Sequence, residues 1–202
     1  LSHAYTLRQP IGPVAAIVPF NGPLVIAAWK IAPALAAGCS IIVKPALKTP
    51  LSVLRLAELI TDAGIPKGMV GVLPGYGETV GSQLGAHPRI SMITCTASTD
   101  TGRKLVRSSA DTNLKRVMLE LGGKSPLIVF ADADLKAAVS GAIGAIFGNA
   151  GQTCVAGSRI LVHHEIASRF TDDFCKAANR LQIGDPFEAA TEIGPVVSNS
   201  HR

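Results

Sequence analysis

Short apolar runs alternate with longer stretches of helical periodicity along most of the chain. The runs are rich in Val, Ile and Leu and end at Pro, Gly or a polar residue, which is typical of strands buried on both faces of a sheet. Helix-start and helix-stop residues frame the stretches between them. The predicted strands cover residues 14–19, 40–44, 69–73, 90–94, 115–121, 126–130 and 159–163.

The predicted helices fill the gaps, at residues 22–37, from Thr49 to about residue 64, at 78–84, after Ser98, and at 132–147 and 165–181. Thr49 is the expected N-cap of the second helix, with Pro50 in its first position. Strands that alternate with helices in this way form right-handed parallel crossovers. The fold class is therefore α/β, with a parallel sheet that binds ligands at the carboxyl ends of its strands.

Composition narrows the classes of partner. Apolar residues make up 48% of the 202 residues, which supports a real core, and no apolar run reaches the eighteen residues of a membrane span. The net charge is +5, but Lys and Arg are scattered and few aromatics lie among them, so nucleic-acid binding is not indicated. Attraction of a small molecule that carries phosphate is a simpler explanation of the positive net charge.

Cysteine usage gives no sign of a metal site or a disulfide framework. The four cysteines form no CxxC pair and have no metal-type spacing with His. A chain with this much apolar content does not need disulfides, so we expect a reducing, cytoplasmic setting.

Cys154 stands in "GNAGQTCVAGSR", among small residues that offer little for a buried thiol to pack against. A thiolate there could attack a carbonyl carbon. The alternative is an inert, small apolar side chain. A cysteine protease would need a nearby imidazole, and of His163 and His164 only one could face inward from a strand end.

Three polar residues stand at predicted strand ends. Glu120 ends the apolar strand before Gly122 and Gly123, where desolvation would make it a general base for water; a salt-bridged structural role is equally open. Asn21 could donate to a developing oxyanion or cap a helix. Lys44 could hold a ribose or phosphate, or be solvated.

Two loop features suggest phosphate binding. Ser98 and Thr99 open a helix, whose free N–H groups attract anions. "GYGETVG" resembles a dinucleotide fingerprint but is one residue too long, which is weak support by itself.

Taken in order, "PFNGPL", "AWKIAPALAAGCSIIVKPA", "LPGYGETVG", "NLKRVMLELGGKSP", "GNAGQTCVAGSR" and "EIGPVVS" resemble the aldehyde dehydrogenase superfamily across essentially the whole chain. The resemblance implies the later part of an NAD(P)-binding domain with a Rossmann-like parallel sheet at 1–122 and the start of an α/β catalytic domain at 123–202. It also implies that the sequence is the middle of a longer, homo-oligomeric enzyme. We therefore expect the 202 residues alone to be inactive.

The resemblance assigns three catalytic roles. Cys154 takes the aldehyde as a thiohemiacetal, whose oxyanion is stabilised by the Asn21 side chain and the Cys154 N–H. After hydride transfer to the nicotinamide, Glu120 activates the water that releases the acid. The residues implied in cofactor binding are Ile17, Pro19, Phe20, Lys44, Gly77, Gly81, Ala97, Ser98, Thr101, Gly102 and Leu121.

Departures from the family pattern bear on the cofactor. Members that prefer NAD often carry Glu three residues after the lysine, where this chain has Leu47, so we expect NADP to be tolerated or preferred. The usual "FTGST" is "CTAST", so Cys95 replaces an aromatic wall and Ala97 a glycine. Two other functions stay open: a truncated, non-catalytic binding or assembly module, and a relative that passes the acyl group to phosphate or coenzyme A.

Overall fold

A computed structural model describes residues 2–202 of the chain. The chain forms two compact units, the first ending at Leu121 and the second running Gly122–Arg202. Each unit has its own sheet and core, and each is described by itself. No helix within residues 2–202 is both long and apolar enough to cross a membrane.

The first unit is built on five parallel strands in the order β3-β2-β1-β4-β5. The strands are β1 Val14–Ile17, β2 Ile41–Lys44, β3 Val70–Val72, β4 Met92–Ala97 and β5 Arg116–Leu121. The connecting helices are α1 Pro23–Ala36, α2 Leu51–Asp62, α3 Ser82–Ala86 and α4 Thr99–Ala110. The prediction of an α/β fold with a parallel sheet is confirmed.

Both faces of this sheet are covered, as its apolar strands require. Val14 and Ala16 of β1 pack with α1 and α2 residues on one face. Ala15 and Ile17 pack with Leu84 of α3 and with α4 on the other. The chain builds β2 and β3 on one side of β1 and then crosses to β4 on the other side, so the strand order reverses between β1 and β4. Ligands of such sheets bind in the crevice at this reversal.

The second unit contains the parallel pair β6 Pro126–Val129 and β7 Arg159–Val162, with helices α5 Leu135–Phe147 and α6 Ala167–Ala178. Asp134 caps α5, since its carboxylate accepts from the N–H of Ala137. The core joins both helices to the sheet through Val129, Val139, Ala142 and Phe170. Phe174 stacks against Phe147 and Phe170, which binds α6 to α5.

The elements differ from their predicted bounds mainly at their ends. The prediction of Thr49 as N-cap of α2 is wrong: Pro50 occupies that position, and the buried Thr49 Oγ1 has no hydrogen-bond partner. The fourth strand is Met92–Ala97 rather than 90–94, because its pairing with β5 continues to Leu121.

Candidate functional site

The carboxyl ends of β1 and β2 lie level with one another, since Ile17 pairs with Lys44. Ile17 also pairs with Cys95 of β4, which continues for two more residues to Ala97. Asn21 follows β1 and lies one residue before Gly22, the N-cap of α1. The N-cap position considered for Asn21 is therefore occupied by Gly22 instead.

Lys44 is buried, with only 6% of its surface exposed, which excludes the alternative of a solvated lysine. Its Nζ donates to the carbonyl of Pro45 at 2.8 Å, and burial lowers the pKa of its amine. A Cβ placed on Gly81 would lie 3.8 Å from Lys44 Cδ and 3.9 Å from Ile17 Cδ1. Three of the predicted cofactor residues are thus gathered at the ends of β1 and β2.

The extra residue of "GYGETVG" has a structural explanation. Residues Gly77–Gly81 form a π-helical turn, in which the Gly81 N–H donates to the Tyr76 carbonyl at 3.4 Å, and α3 continues from it. A π-turn contains one more residue than an α-turn, and such turns are frequent at functional sites. A Cβ on Gly77 would meet no protein atom within 4 Å, so a ligand could approach this backbone closely.

A second group of predicted cofactor residues surrounds the start of α4. Ser98 caps the helix by accepting from the Thr101 N–H at 3.2 Å, and its Oγ lies 3.0 Å from Thr101 Oγ1. Gly102 is packed so tightly that an added Cβ would lie 2.9 Å from Leu121 Cδ2. A shallow groove of about 260 Å³ runs between α4 and β5 beside these residues.

Lys30, which the sequence interpretation did not single out, lies beside the sheet end. Its Nζ donates to Thr94 Oγ1 at 2.8 Å. Burial lowers the pKa of Lys30, while the nearby Cys95 and Glu120 partly oppose that shift. The signal in the sequence was a lone cation inside the apolar helix "AAWKIAP".

Cys95 does not form a wall of the cofactor groove, because it is fully buried in the core beneath it. Burial raises the pKa of its thiol to about 11, although Lys30 and Lys44 act against the shift. A cysteine of this kind stays protonated and unreactive at neutral pH.

Glu120 is exposed, contrary to the expectation of a desolvated carboxylate. It lies on β5, the edge strand of the sheet, where alternate residues project from opposite faces. Leu119 and Leu121 take the face against α4, and Glu120 takes the other face, opposite Thr96 in the register.

Cys154 is partly buried in the second unit, where it follows a turn of unusual backbone conformation. Asn149 and Ala150 have φ of 54° and Gly151 has φ of 74°, three consecutive residues in the left-handed region. Each non-glycine residue held there costs about 1–3 kcal/mol, which the surroundings must offset. The Cys154 loop (residues 148–158) is therefore not a freely flexible segment.

Main-chain contacts hold both sides of the Cys154 loop. A Cβ on Gly123 would lie 2.9 Å from the Cys154 carbonyl oxygen, so only glycine fits there without movement. The Gly157 N–H donates to the Ala145 carbonyl at 3.1 Å, and Arg159 Nε donates to the Lys124 carbonyl at 2.7 Å. The small residues thus let the loop pack closely onto its own unit, in addition to leaving the sulfur accessible.

The protease alternative has no support in the second unit. His163 and His164 follow β7 with their rings 4.4 Å apart, and His163 Nδ1 accepts from the Glu165 N–H. Within the described residues, neither imidazole is hydrogen-bonded to Cys154. Residues 2–202 also contain no group of three or more His, Cys, Asp or Glu that could hold a metal ion.

Comparison with known proteins gives consistent results. The profile of the aldehyde dehydrogenase family matches residues 2–202. An aldehyde dehydrogenase of Enchytraeus buchholzi is 49% identical over 97% of this chain and 39% of its own length. The betaine aldehyde dehydrogenase of Bacillus subtilis (strain 168) is 46% identical over 100% of this chain and 41% of its own.

Solved structures agree in fold. PnpE in complex with nicotinamide adenine dinucleotide is 52% identical, with a TM-score of 0.92 over 95% of this chain and 39% of its own. A putative aldehyde dehydrogenase from Burkholderia cenocepacia is 50% identical, with a TM-score of 0.94 over 96% of this chain and 40% of its own. This chain spans about two fifths of the length of these relatives. With a family profile that matches from residue 2 to residue 202, the chain belongs to the aldehyde dehydrogenase family.

Proposed function

We propose that this chain supplies the cofactor-binding and nucleophile-bearing part of an NAD(P)-dependent enzyme that oxidises an aldehyde to a carboxylic acid. The observation that carries the proposal is the Cys154 loop, which presents a partly exposed thiol on a backbone fixed by close contacts, in a chain of this family. Residues 1–122 would belong to the cofactor domain and residues 123–202 to the catalytic domain.

The first unit fits a dinucleotide. Its parallel strands end at one edge, where Gly77 leaves its backbone open to a ligand and Lys44 extends its buried stem past Gly81. Ser98 and Thr101 hold the start of α4, whose N–H groups suit a phosphate. The bound cofactor would supply the hydride acceptor, and Ile17, Lys44, Gly81 and Ser98 would hold its adenosine and phosphate portions.

Bond formation begins at Cys154. Its thiolate attacks the aldehyde carbon, the carbonyl π electrons move to oxygen, and a thiohemiacetal oxyanion results. The Cys154 N–H and the Asn21 amide would donate hydrogen bonds to that oxygen. Loss of the aldehydic hydrogen as hydride then leaves a thioester on the sulfur.

Release of the acid requires water. Glu120 would take a proton from a water molecule as the water oxygen attacks the thioester carbon, and the thiolate of Cys154 would leave. The exposure of Glu120 suits contact with solvent, and the Lys30 ammonium lies within electrostatic range of its carboxylate. A water-activating carboxylate favours hydrolysis over acyl transfer to phosphate or coenzyme A.

We also propose that NADP is accepted. Leu47 is 45% exposed just beyond β2 and carries no charge that would repel a 2′-phosphate. Lys44 and Lys48 are the nearest cations in the sequence.

The test uses a chimeric enzyme, in which these 202 residues replace the matching segment of the Bacillus subtilis betaine aldehyde dehydrogenase. We expect aldehyde-dependent formation of NADH or NADPH and a carboxylic acid as product. Cys154→Ala should lower kcat by about a thousandfold or more, since the covalent route is lost. Undiminished turnover in that variant, with a folded control spectrum, would refute the mechanism. The 202-residue chain alone is expected to show no turnover.

A further inference from the structure

The Gln152 side chain, two residues before Cys154, is hydrogen-bonded through both of its polar atoms. Its Oε1 accepts from the Val197 N–H at 2.9 Å, and its Nε2 donates to the Asn149 carbonyl at 3.1 Å. Val197 lies in "EIGPVVS", 45 residues further along the chain. One side chain therefore links the Cys154 loop to a distant segment of the same unit.

The turn before Cys154 depends on this side chain. The Asn149 carbonyl accepts from the Gln152 N–H as well as from Nε2, and Asn149 Nδ2 donates back to the Gln152 carbonyl at 3.3 Å. Left-handed residues other than glycine persist only where their surroundings hold them in place. Since Asn149 and Ala150 are such residues, loss of the Gln152 bonds would release the turn that sets the course of the next two residues.

We propose that Gln152 is a positioning residue for the reaction. Its hydrogen bonds fix Cys154 relative to the segment at residues 192–198. The proposal rests on the proposed role of Cys154 as nucleophile. Gln152 binds this segment through the backbone N–H of Val197, so the side chain of Val197 takes no part in the hydrogen bond. Gln152 itself would not touch the reacting atoms.

Thiol labelling of the 202-residue chain tests the positioning without any turnover. Iodoacetamide labelling is followed by mass spectrometry of each cysteine peptide in the wild type, in Gln152→Leu and in the control Gln182→Leu. Gln182 is a glutamine of the same unit whose Nε2 binds the Arg180 carbonyl instead. The buried Cys39 and Cys95 report unfolding of the first unit, a circular dichroism spectrum of each variant reports unfolding of the second, and the exposed Cys175 is the internal reference.

We expect Gln152→Leu to raise the labelling rate of Cys154 by about tenfold, because local opening exposes the sulfur. Cys175 should keep its rate, Cys39 and Cys95 should stay protected, and Gln182→Leu should match the wild type. An unchanged Cys154 rate overturns the proposal. A rise shared by Cys39 and Cys95 also overturns it, because Gln152 would then serve stability in general.

Two conservative variants identify the bond that matters. Gln152→Glu keeps an acceptor for the Val197 N–H but loses the donor to the Asn149 carbonyl, and Val197→Ala keeps both bonds. Val197→Ala should label Cys154 within about twofold of the wild type, and Gln152→Glu should label it more slowly than Gln152→Leu, which loses both bonds. If Gln152→Glu labels as fast as Gln152→Leu, the bond to Val197 is not what positions the sulfur, and the proposal fails.

Kinetics of the chimeric enzyme separate this proposal from the proposed function. Gln152→Leu should lower kcat by about tenfold while KM for the aldehyde changes little, since a misplaced nucleophile affects the chemical step. An unchanged kcat overturns the positioning role. Full turnover by Cys154→Ala would instead refute the proposed mechanism, and the labelling result would stand independently of it.

Discussion

Gly123 lies against the backbone of Cys154, so close that a Cβ at residue 123 would stand 2.9 Å from the Cys154 carbonyl oxygen. Two motifs about thirty residues apart in the sequence, "LELGGKSP" and "GQTC", therefore meet within the second unit. The second glycine of the first motif is needed because the Cys154 loop occupies the space that a side chain at residue 123 would fill.

Gly123→Ala should displace Cys154 and lower kcat of the chimeric enzyme by about tenfold or more, because small misplacements of a nucleophile are costly. The matched control is Gly122→Ala, whose new methyl would meet no protein atom within 4 Å. Steady-state kinetics with circular dichroism of both variants checks this. Equal kcat values in the two variants would contradict the contact's importance.

Gly81→Ala should weaken cofactor binding by about fivefold or more without unfolding the protein. The new methyl would make only ordinary contacts with Lys44 and Ile17, at 3.8 and 3.9 Å, so the fold tolerates it while the groove loses space. Calorimetric titration of the chimeric enzyme with NAD and NADP gives the affinity, and thermal unfolding of the apoenzyme gives the stability. If the variant bound NAD and NADP as tightly as the wild type does, the cofactor would not lie against Gly81.

Leu47→Glu should shift cofactor use toward NAD. A carboxylate at this exposed position would repel a 2′-phosphate and could accept from ribose hydroxyls, so the ratio of kcat/KM for NADP to that for NAD should fall by about tenfold. Leu47→Gln, which has the same shape without the charge, is the control. A wild-type enzyme with strong NAD preference would reject our proposal for NADP.

Ionisation of the Cys95 thiol should lower the free energy of unfolding at alkaline pH. Burial raises the pKa of its thiol from 9.0 to about 11, so its contribution is complete below pH 9 and is lost as pH rises toward 11. Over that interval the free energy of unfolding should fall by up to about 3 kcal/mol more in the wild type than in Cys95→Ala. Urea denaturation of both proteins from pH 8 to 11 measures the difference. If the free energy of unfolding fell equally with pH in both proteins, Cys95 would not have the raised pKa.

Lys115→Met should destabilise the first unit by about 1–3 kcal/mol, because it leaves a buried carbonyl without its donor. The Lys115 Nζ donates to the Gly85 carbonyl at 2.6 Å and to Thr112 Oγ1 at 3.1 Å. Lys48→Met, at an exposed lysine, is the comparison. Chemical denaturation of the two variants gives the difference, and equal stabilities would show that these bonds contribute nothing.

The order of strands and helices was predictable because buried parallel strands leave a strong signal, as in "VAAIVP" and "SIIVK". The confirmed α/β class follows from the same alternation, but the strand order β3-β2-β1-β4-β5 does not. The cap of α2 was not predictable, because Thr49-Pro50 fits two positions equally well and tertiary packing buries the Oγ1 atom of Thr49.

The sequence named candidate site residues, but it could not give the environment of each one. Glu120 was expected to be desolvated from its apolar neighbours, yet alternate residues of an edge strand face opposite ways, and this one is exposed. Periodicity cannot tell which strand lies at an edge. The bond from Gln152 to Val197 was equally invisible, because it joins residues 45 positions apart.

The π-turn at Gly77–Gly81 takes up one residue more than an α-turn would, so the surplus position of "GYGETVG" is absorbed before α3 begins. Leu84 of α3 therefore keeps its place in the core, although the loop is longer than the dinucleotide fingerprint. Removing one residue from this turn would leave an ordinary α-turn and would keep Leu84 buried. The turn thus separates the length of the loop above the sheet from the packing of the helix below it.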